Sequence, residues 1–289
     1  MTPRGLFVGL ATVDMQYLVD TPPARDAKTP ARDFLMATGG PATNAAVTFA
    51  HLGGQARLLT RIGRHSLTSF MTGDLARYGV DVIDLAPDST SLPTVSSVIS
   101  APATGERTIV THRPAHDLPI DAGTIDAALR DVDIVLVDGH HMAVAIAVAT
   151  EASRRGITVV LDGGSWKAGM ADLLPAVDIA ICSESFRPPG THAPEQAIAD
   201  LAGRGLEAIA ITAGGEAIRL REGERTIEIQ IEPVEVVDSA GAGDVLHGAF
   251  CYWRAAGETT RAALARAATV ATRSCQSFGT RTWMQPDQT

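Results

Sequence analysis

The chain of 289 residues carries 33 acidic and 24 basic side chains, a formal net charge of −9, and 45% of its residues are apolar. This apolar content is enough for a sizeable core, which excludes a wholly disordered chain, and the acidic balance excludes duplex nucleic acid as an expected partner. No apolar run reaches the ~18 residues of a membrane span, no secretory signal opens the chain and the three cysteines form no Cys-x-x-Cys pair, so we expect a cytoplasmic protein without a membrane partner.

The first third of the chain alternates short apolar runs with helical patterns, with one interruption. In chain order it predicts a buried strand at Leu6–Leu10, an irregular segment at Tyr17–Phe34, helices at Thr43–Leu52 and Leu67–Tyr78 on either side of a strand at Ala56–Ile62, and a hairpin of Thr94–Ser100 and Arg107–Thr111. A hairpin of two strands is marginally stable alone. We therefore expect it to join the irregular segment in a small β lid, formed by residues of about 15–35 and 93–113 and inserted in the main domain.

The rest of the chain continues the alternation of strands and helices. It predicts strands at Ile134–Val137, Ile157–Leu161, Ile179–Cys182 and Ala208–Thr212, helices at Ala143–Arg154 and Glu195–Ala202, a second hairpin of Glu216–Arg221 and Thr226–Ile231, and helices at Gly243–Ala256 and Thr260–Ser274. Several strands are rich in Val and Ile, as strands covered on both faces are. The order predicts a single α/β domain over residues 1–289, with a mostly parallel central sheet flanked by helices.

The most informative stretch is the segment 236–248, where an apolar strand ends, small residues follow and an amphipathic helix begins. Gly241 and Gly243 let the backbone approach a ligand closely, and consecutive N–H groups at a helix start form an anion site. Asp244 is placed to face the same point, which suits phosphoryl transfer: the amides hold the charge on the phosphoryl oxygens and the carboxylate takes the proton from a hydroxyl. Taken alone, a Gly-x-Gly-Asp sequence is equally consistent with an ordinary helix N-cap.

Two motifs resemble those of the ribokinase-like (PfkB) family of carbohydrate and nucleoside kinases. The first stands as Gly39-Gly40-Pro41-Ala42-Thr43-Asn44 and the second as Asp238-Ser239-Ala240-Gly241-Ala242-Gly243-Asp244, with Ser where the family has Thr. They occur in the family's order and near the expected ends of the chain. This resemblance covers nearly the whole sequence and implies the ribokinase-like fold, a carbohydrate substrate and ATP as the phosphoryl donor.

The resemblance also implies roles for individual residues. By this resemblance Asp244 is the catalytic base, and the anion hole consists of Gly241, Ala242 and Gly243. It implies sugar contacts by Asp14, at the end of the first strand, and by Gly39, Gly40 and Asn44. On the ATP side it implies contacts by Thr212, Gly214, Asp238, Gly241 and Gly243, with the adenine against the carboxyl-terminal helices. No Gly-x-x-x-x-Gly-Lys-[Ser/Thr] loop is present, so the chain is not a P-loop enzyme.

The sequence departs from the family where family members hold Mg²⁺ through water. The family's Asn-x-x-Glu stands here as Ser183-Glu184-Ser185-Phe186, and a phenylalanine cannot ligate a metal. We expect Glu184 to take over the metal role, and a monovalent-cation (K⁺) site around Asp238 is left open. The Ser-Glu pair is similar to a branch that includes sulfofructose kinase, as are the Leu161-Asp162-Gly163 turn and His247-Gly248.

Two further residues are candidates for substrate contact. His140 follows the predicted strand Ile134–Val137 at its carboxyl end, where open α/β sheets bind ligands. Arg113 ends the predicted lid hairpin and suits an anionic substituent, because a guanidinium binds phosphate or sulfonate through two parallel hydrogen bonds. Both residues are equally consistent with ordinary surface positions.

These residues together predict an ATP-dependent kinase that phosphorylates the hydroxymethyl group of a sugar or sugar derivative beneath a closing lid. A nucleoside kinase is the alternative among enzymes, although only Tyr17 and Phe34 lie near the lid to stack on a base. A sugar-binding homologue without turnover is the alternative outside enzymes, and the altered stretch at 183–186 favours it. An exposed small sheet also predicts a homodimer formed through the lid.

Overall fold

The chain forms two separate β-sheets and a set of flanking helices. A computed structural model describes residues 1–113 and 118–285. The strands are β1 (Arg4–Val8), β2 (Thr12–Leu18), β3 (Asp33–Gly39), β4 (Gln55–Thr60), β5 (Val80–Asp84), β6 (Thr94–Ala101), β7 (Glu106–His112), β8 (Ile134–Val137), β9 (Thr158–Gly163), β10 (Ile179–Ser183), β11 (Ala208–Thr212), β12 (Ile218–Glu222) and β13 (Arg225–Ile229). The helices are α1 (Pro41–His51), α2 (Thr68–Arg77), α3 (Ala122–Ala128), α4 (Met142–Arg154), α5 (Met170–Leu173), α6 (Pro194–Gly203), α7 (Ala242–Ala255) and α8 (Thr260–Ser274). None of the helices in these ranges is both long and apolar enough to cross a membrane.

The main sheet has nine strands in the order β13-β12-β11-β10-β9-β8-β1-β4-β5. From β11 to β5 in this order the strands run parallel, and the β12–β13 hairpin adds two antiparallel strands at one edge. The predicted α/β fold with a mostly parallel central sheet is thereby confirmed. Strand β5 and helix α3 have no counterpart in the sequence predictions.

Helices cover both faces of the main sheet, which explains why its central strands are apolar throughout. Successive residues of β1 point to opposite faces: Phe7 joins the core formed with α1, α7 and α8, whereas Leu6 and Val8 join the core formed with α4 and α6. Helices α1 and α7 approach closely at Gly248, where a Cβ would overlap the Ala45 carbonyl oxygen. This close packing holds the starts of α1 and α7 beside each other at one end of the sheet.

The second sheet has the strand order β3-β2-β6-β7 and includes strands from both segments predicted for the lid, so we refer to it as the lid. Strand β2 pairs antiparallel with β3 and parallel with β6, and β7 returns antiparallel along β6. The segment 19–32 connects β2 to β3, so the lid strands flank the segment predicted to be irregular. The sequence prediction that Asp14 ends the first strand is wrong: β1 ends at Val8, and Asp14 lies within β2 of the lid.

Candidate active site

Helix α7 begins between two cavities. Gly241 and Asp244 border a cavity of about 260 Å³ that lies under the lid, the lid-side cavity. Ala242 and Gly243 border a cavity of about 360 Å³, the helix-side cavity, whose wall combines α7 and α8 with residues 212–218 and 231–239. A group bound at the turn before α7 is therefore within reach of ligands in both cavities.

The turn that begins α7 presents backbone N–H groups. Gly241 is the N-cap residue with a φ of 75°, and no side chain caps the helix. A Cβ on Gly241 would lie 2.7 Å from Thr280 Cγ2, so both the backbone conformation and the packing require glycine. The first N–H groups of a helix have no partner within the helix, and the helix dipole adds partial positive charge there. Gly241, Ala242 and Gly243 therefore lie where an anion can bind, and of their N–H groups that of Ala242 donates to the Ser239 carbonyl oxygen at 3.3 Å.

Asp244 borders the lid-side cavity and is oriented by Asn44. The Nδ2 atom of Asn44 donates a hydrogen bond of 2.7 Å to Oδ2 of Asp244, although the two residues are 200 positions apart. Burial, followed by the negative charge of Asp162, raises the pKa of Asp244 to about 7, and the Asn44 hydrogen bond and His247 oppose the rise. A carboxylate with this pKa is suited to accept a proton near neutral pH.

Asp14 enters the lid-side cavity from strand β2. Thr12 Oγ1 donates a hydrogen bond to Asp14 Oδ1, and burial raises the pKa of the Asp14 carboxyl. A Cβ on Gly39 of the neighbouring strand β3 would overlap Asp14 Oδ2, and one on Gly40 would overlap the Leu10 carbonyl oxygen. Gly40 lines the cavity, and Gly39 makes room for the carboxylate beside it.

Asp138, which no sequence pattern singles out, organises the end of the main sheet beneath this cavity. Its buried carboxylate accepts hydrogen bonds from the N–H groups of Leu10 (2.9 Å), Ala42 (3.1 Å) and His140 (2.8 Å). These bonds join the ends of β1 and β8 to the start of α1. The one signal that points to Asp138 is its place directly after a buried parallel strand, where ligand sites form in open α/β sheets.

His140 and Arg113 meet at the wall of the lid-side cavity. Arg113 Nη1 lies 3.3 Å from His140 Nδ1, and because a guanidinium only donates, Nδ1 accepts and the ring proton is on Nε2. Burial lowers the pKa of His140 to about 4, which agrees with a neutral ring at pH 7. A second lid arginine, Arg107, lines the cavity nearer α7, with Nη1 3.5 Å from the Ser239 carbonyl oxygen.

Arg281 connects the carboxyl-terminal segment with the lid, and no sequence pattern marks it. Its buried guanidinium donates a hydrogen bond of 2.6 Å to the Thr38 carbonyl oxygen and lies over the Tyr78 ring, 5.5 Å from its centroid. Burial raises the pKa of Asp14, and the positive charge of Arg281 opposes that rise. Because Thr38 precedes Gly39 on β3, Arg281 fixes the strand that borders the Asp14 carboxylate.

Thr212 and Gly214 lie at the end of β11 and line the helix-side cavity. Much of the remaining wall is apolar and includes Ile218, Val236, Leu246, Ala268 and Ala271. A cavity with an apolar wall and a few polar groups at one end is typical of a site for a ring that carries a polar tail. The apolar wall and the turn at Gly243 belong to the same cavity.

Asp238, also predicted for the nucleotide side, lines neither cavity. Its Oδ1 accepts hydrogen bonds from Ser100 Oγ (3.1 Å) and the Ala240 N–H (3.0 Å), and its Oδ2 accepts one from the Gly279 N–H (3.1 Å). These contacts tie the lid, the turn and the carboxyl-terminal segment together.

Glu184, the predicted metal residue, is exposed and borders neither cavity. Phe186, at the position of the family's glutamate, is fully buried and packs on Trp166 with ring centroids 5.6 Å apart. Within residues 1–113 and 118–285, no group of three or more His, Cys, Asp or Glu side chains is arranged to hold a metal ion. Phe186 cannot act as a ligand, so Glu184 is the one carboxylate that residues 183–186 offer to a metal ion.

Comparison with known proteins gives relatives along the whole chain. The model of the pfkB family carbohydrate kinases matches residues 4–288. A ribokinase from Bacillus subtilis (strain 168) is 25% identical over 280 residues, which are 94% of this chain and 92% of that protein. A ribokinase from Arabidopsis thaliana is 25% identical over 292 residues, which are 96% of this chain and 77% of that protein.

Solved structures share the fold. A proposed ribokinase from Agrobacterium tumefaciens superimposes with a TM-score of 0.87 at 26% identity, over 98% of this chain and 94% of that one. A fructokinase from Xylella fastidiosa with bound ATP gives a TM-score of 0.81 at 22% identity, over 98% of this chain and 95% of that one. Because the family model covers nearly every residue, this chain belongs to the pfkB family of carbohydrate kinases.

Proposed function

We propose that this carbohydrate kinase transfers the γ-phosphoryl group of ATP to a hydroxymethyl group of a sugar or sugar derivative, with Asp244 as the base. The observation that carries the proposal is the start of α7, which lies between two cavities and has Asp244 on the lid side. Phosphoryl transfer needs the donor and the acceptor to meet in line at one anion-binding point. ATP would occupy the helix-side cavity and the sugar the lid-side cavity.

The lid-side residues support binding and deprotonation of a hydroxyl group. Asp14 offers a carboxylate to sugar hydroxyls, and Asn44 has a buried Oδ1 without a hydrogen-bond partner in the part of the chain that the structure describes, which a sugar hydroxyl would satisfy. Asp244 removes the proton as the hydroxyl oxygen bonds to the γ-phosphorus and the bond to the β-phosphate oxygen breaks, releasing ADP. The N–H groups of Gly241–Gly243 hold the charge on the transferring oxygens.

We assign no protein ligand to magnesium, because Glu184 lies outside both cavities. The metal enters as part of the substrate MgATP, and no step depends on a residue of this chain that binds it. We assign no role to potassium.

A panel of sugars, sugar acids, sugar phosphates and nucleosides tests this function, with MgATP present and ADP release as the readout. We expect release with at least one sugar or sugar derivative and none above background with nucleosides. The described wall of the lid-side cavity contains no Phe, Tyr or Trp on which a base could stack. Release with nucleosides alone would favour the nucleoside kinase, and sugar-dependent thermal stabilisation without ADP release would favour the binding homologue.

Sugars that carry a phosphate, sulfonate or carboxylate group are the first acceptors to test. Arg113 and Arg107 place two guanidinium groups on the wall of the lid-side cavity, one within β7 and one just after it. A guanidinium recognises such groups through charge-assisted hydrogen bonds. The proposed acceptor class therefore includes anionic sugar derivatives as well as neutral sugars.

We further propose a cytoplasmic homodimer in which two lids pair through their outer faces. Side chains alternate along β7: Arg107 and Ile109 line the cavity, which leaves Val110 on the outer face, 66% exposed. Phe34 and Met36 of β3 are large apolar side chains that are also exposed, Phe34 by 50%. An apolar sheet face of this kind is stabilised when a second copy covers it.

Val110→Glu is expected to convert the dimer into monomers, because it buries a charge in the proposed interface. Size-exclusion chromatography with light scattering measures the mass. Leu92→Glu is the matched control, since Leu92 is 53% exposed but lies outside the lid strands, and it should leave the mass unchanged. A monomeric wild-type protein, or a Val110→Glu variant that stays dimeric, would contradict the lid-paired dimer.

A further inference from the structure

The ring of His247 lies beneath the turn that begins α7. It is buried one helical turn after Gly243 and borders the helix-side cavity. Its Nδ1 lies 2.6 Å from the Gly243 carbonyl oxygen, and its Nε2 lies 3.0 Å from the Ile181 carbonyl oxygen. Carbonyl oxygens only accept hydrogen bonds, so both contacts are favourable only when both ring nitrogens carry protons.

Asp162, in strand β9, supplies the counter-ion for a charged ring. Its Oδ2 lies 3.6 Å from His247 Nδ1, and its carboxylate is buried. Burial raises the pKa of Asp162, and the charge of His247 opposes that rise. A neutral ring would instead set a nitrogen lone pair against a carbonyl oxygen and leave the carboxylate without this cation. The contacts therefore favour an imidazolium paired with Asp162.

The charged and titratable groups around this pair come from several elements. They are Asp138 after β8, Lys167 in the loop after β9, Cys182 of β10, and Asp244 and Cys251 of α7. Burial raises the pKa of both thiols, so they stay uncharged near neutral pH. The carboxylates add negative potential and Lys167 adds positive potential. His247 differs from these groups in that its ring contacts the carbonyl oxygens of both Gly243 and Ile181.

On the basis of the proposed function, we infer that His247 is a positioning residue: a fixed imidazolium that orients the anion hole and favours the carboxylate form of Asp244. The Gly243 carbonyl and the Asp244 N–H belong to one planar peptide unit, so holding the carbonyl fixes the direction of that N–H. That N–H is one of the first donors of α7, which face a bound phosphoryl group. The positive charge of His247 also lowers the pKa of Asp244, against the larger effect of burial.

The charge of the ring is measured first in the unaltered protein. In protein labelled with ¹⁵N-histidine, with the His247 signals assigned by their loss in His247→Asn or His247→Gln, we expect both ring nitrogens to be protonated at neutral pH. One protonated and one bare nitrogen would overturn the inference. This readout needs no turnover, so it decides the state of His247 even if every acceptor in the sugar panel fails and the proposed function falls.

The pH profile of kcat/KM then tests the effect on Asp244. The acid limb of this profile is the fall of kcat/KM at low pH, where Asp244 becomes protonated. His247→Asn removes the cation, so the acid limb should move to higher pH by about half a unit or more. The kcat at neutral pH should fall roughly tenfold, because the anion hole loses its orientation. Asp162→Asn removes the charge that, after burial, most raises the pKa of Asp244, so the limb should move to lower pH or stay in place.

A matched control separates positioning from general stability. His65→Asn alters another ring that bridges backbone groups, accepting from the Leu67 N–H and contacting the Ile62 carbonyl oxygen, but it borders neither cavity. It should lower Tm without moving the acid limb. The inference would be overturned if the acid limb of the kcat/KM profile did not move in His247→Asn, or if it moved to higher pH in both His247→Asn and Asp162→Asn. If neither His247 variant folds, the ¹⁵N signals of the wild-type ring, assigned by contact with neighbouring residues, decide whether His247 is charged.

Discussion

Replacing Asp244 by asparagine is expected to lower kcat by at least ~10² while the protein stays folded. The amide keeps the size of the side chain, and its oxygen can still accept the hydrogen bond that Asn44 Nδ2 donates to the carboxylate at 2.7 Å. It cannot remove a proton from the attacking hydroxyl. ADP release with the best acceptor of the panel, measured beside thermal unfolding, tests this expectation.

Asp172→Asn is the matched control for the loss of a negative charge. Asp172 is an exposed aspartate of α5 that borders neither cavity, so its variant should keep the wild-type rate and Tm. If Asp244→Asn also turned over at nearly the wild-type rate, Asp244 would not be the base, and the proton would have to leave by another route.

The titration of Asp244 also predicts how rate and stability depend on pH. Burial is the main cause that raises its pKa to about 7 from the ordinary value of 3.8. Because the base acts in its ionised form, kcat/KM should fall about tenfold per pH unit below about 7. A raised pKa means that the folded state binds the proton more tightly than the unfolded chain does. The stability that Asp244 contributes is therefore present at low pH and lost as the pH rises from about 4 to about 7, so Asp244→Asn should raise Tm more at pH 8 than at pH 4.

The strands of the main sheet could be predicted because each depends on a local pattern. Strand β8 has the predicted bounds, Ile134–Val137, since its four buried apolar residues stand between polar ones. Strand β5 (Val80–Asp84) lies at the edge of the sheet and is only partly buried, and Asp81 and Asp84 interrupt its apolar residues, so it forms no continuous apolar run. An edge strand of this kind becomes recognisable only when its neighbour β4 is present.

The break after β1 shows why the position of Asp14 was predicted wrongly. The chain leaves the main sheet after Val8 because the Leu10 N–H donates to the Asp138 carboxylate, 128 positions away, instead of to a neighbouring strand. A Cβ on Gly9 would overlap the same carboxylate. No pattern between residues 6 and 14 contains that partner, so the local sequence favours one continuous strand.

The residues of the candidate site also differ in whether the local sequence could reveal them. The turn of Gly241–Gly243 and the following Asp244 are contiguous in sequence, so the local sequence suggests an anion site, and the family motif around it favours that interpretation over an ordinary helix N-cap. Arg281 acts on the lid through the Thr38 carbonyl oxygen, 243 positions away, and His247 acts through Ile181, 66 positions away. Arg281 carries no local signature, and His247 is marked in the sequence only as a point of resemblance to one branch of the family. The packing of α7 and of the carboxyl-terminal segment gives both residues their place in the site.

Replacing Gly39 by alanine is expected to lower kcat/KM for the acceptor by roughly 100-fold with little change in Tm. The new Cβ would overlap Asp14 Oδ2, the end of a side chain that can rotate, so strand β3 tolerates the methyl group while the carboxylate leaves its position in the cavity. Displacement of a positioning group by about 1 Å is enough for a loss of this size. Steady-state kinetics with the best acceptor measure the loss, and Gly73→Ala in α2, where no atom lies within 4 Å of the new Cβ, is the control.

The double variant Asp14→Ala/Gly39→Ala decides how Gly39 acts. If Gly39 serves only to make room for Asp14, adding Gly39→Ala to Asp14→Ala should cost almost nothing, because the atom that the methyl group displaces is already gone. If Gly39 contacts the sugar directly, as its place in the family motif implies, the two losses should multiply. Gly40, not Gly39, lines the lid-side cavity, so the geometry favours the first result. A multiplicative loss would mean that Gly39 contacts the sugar directly and does not act only by making room for the Asp14 carboxylate.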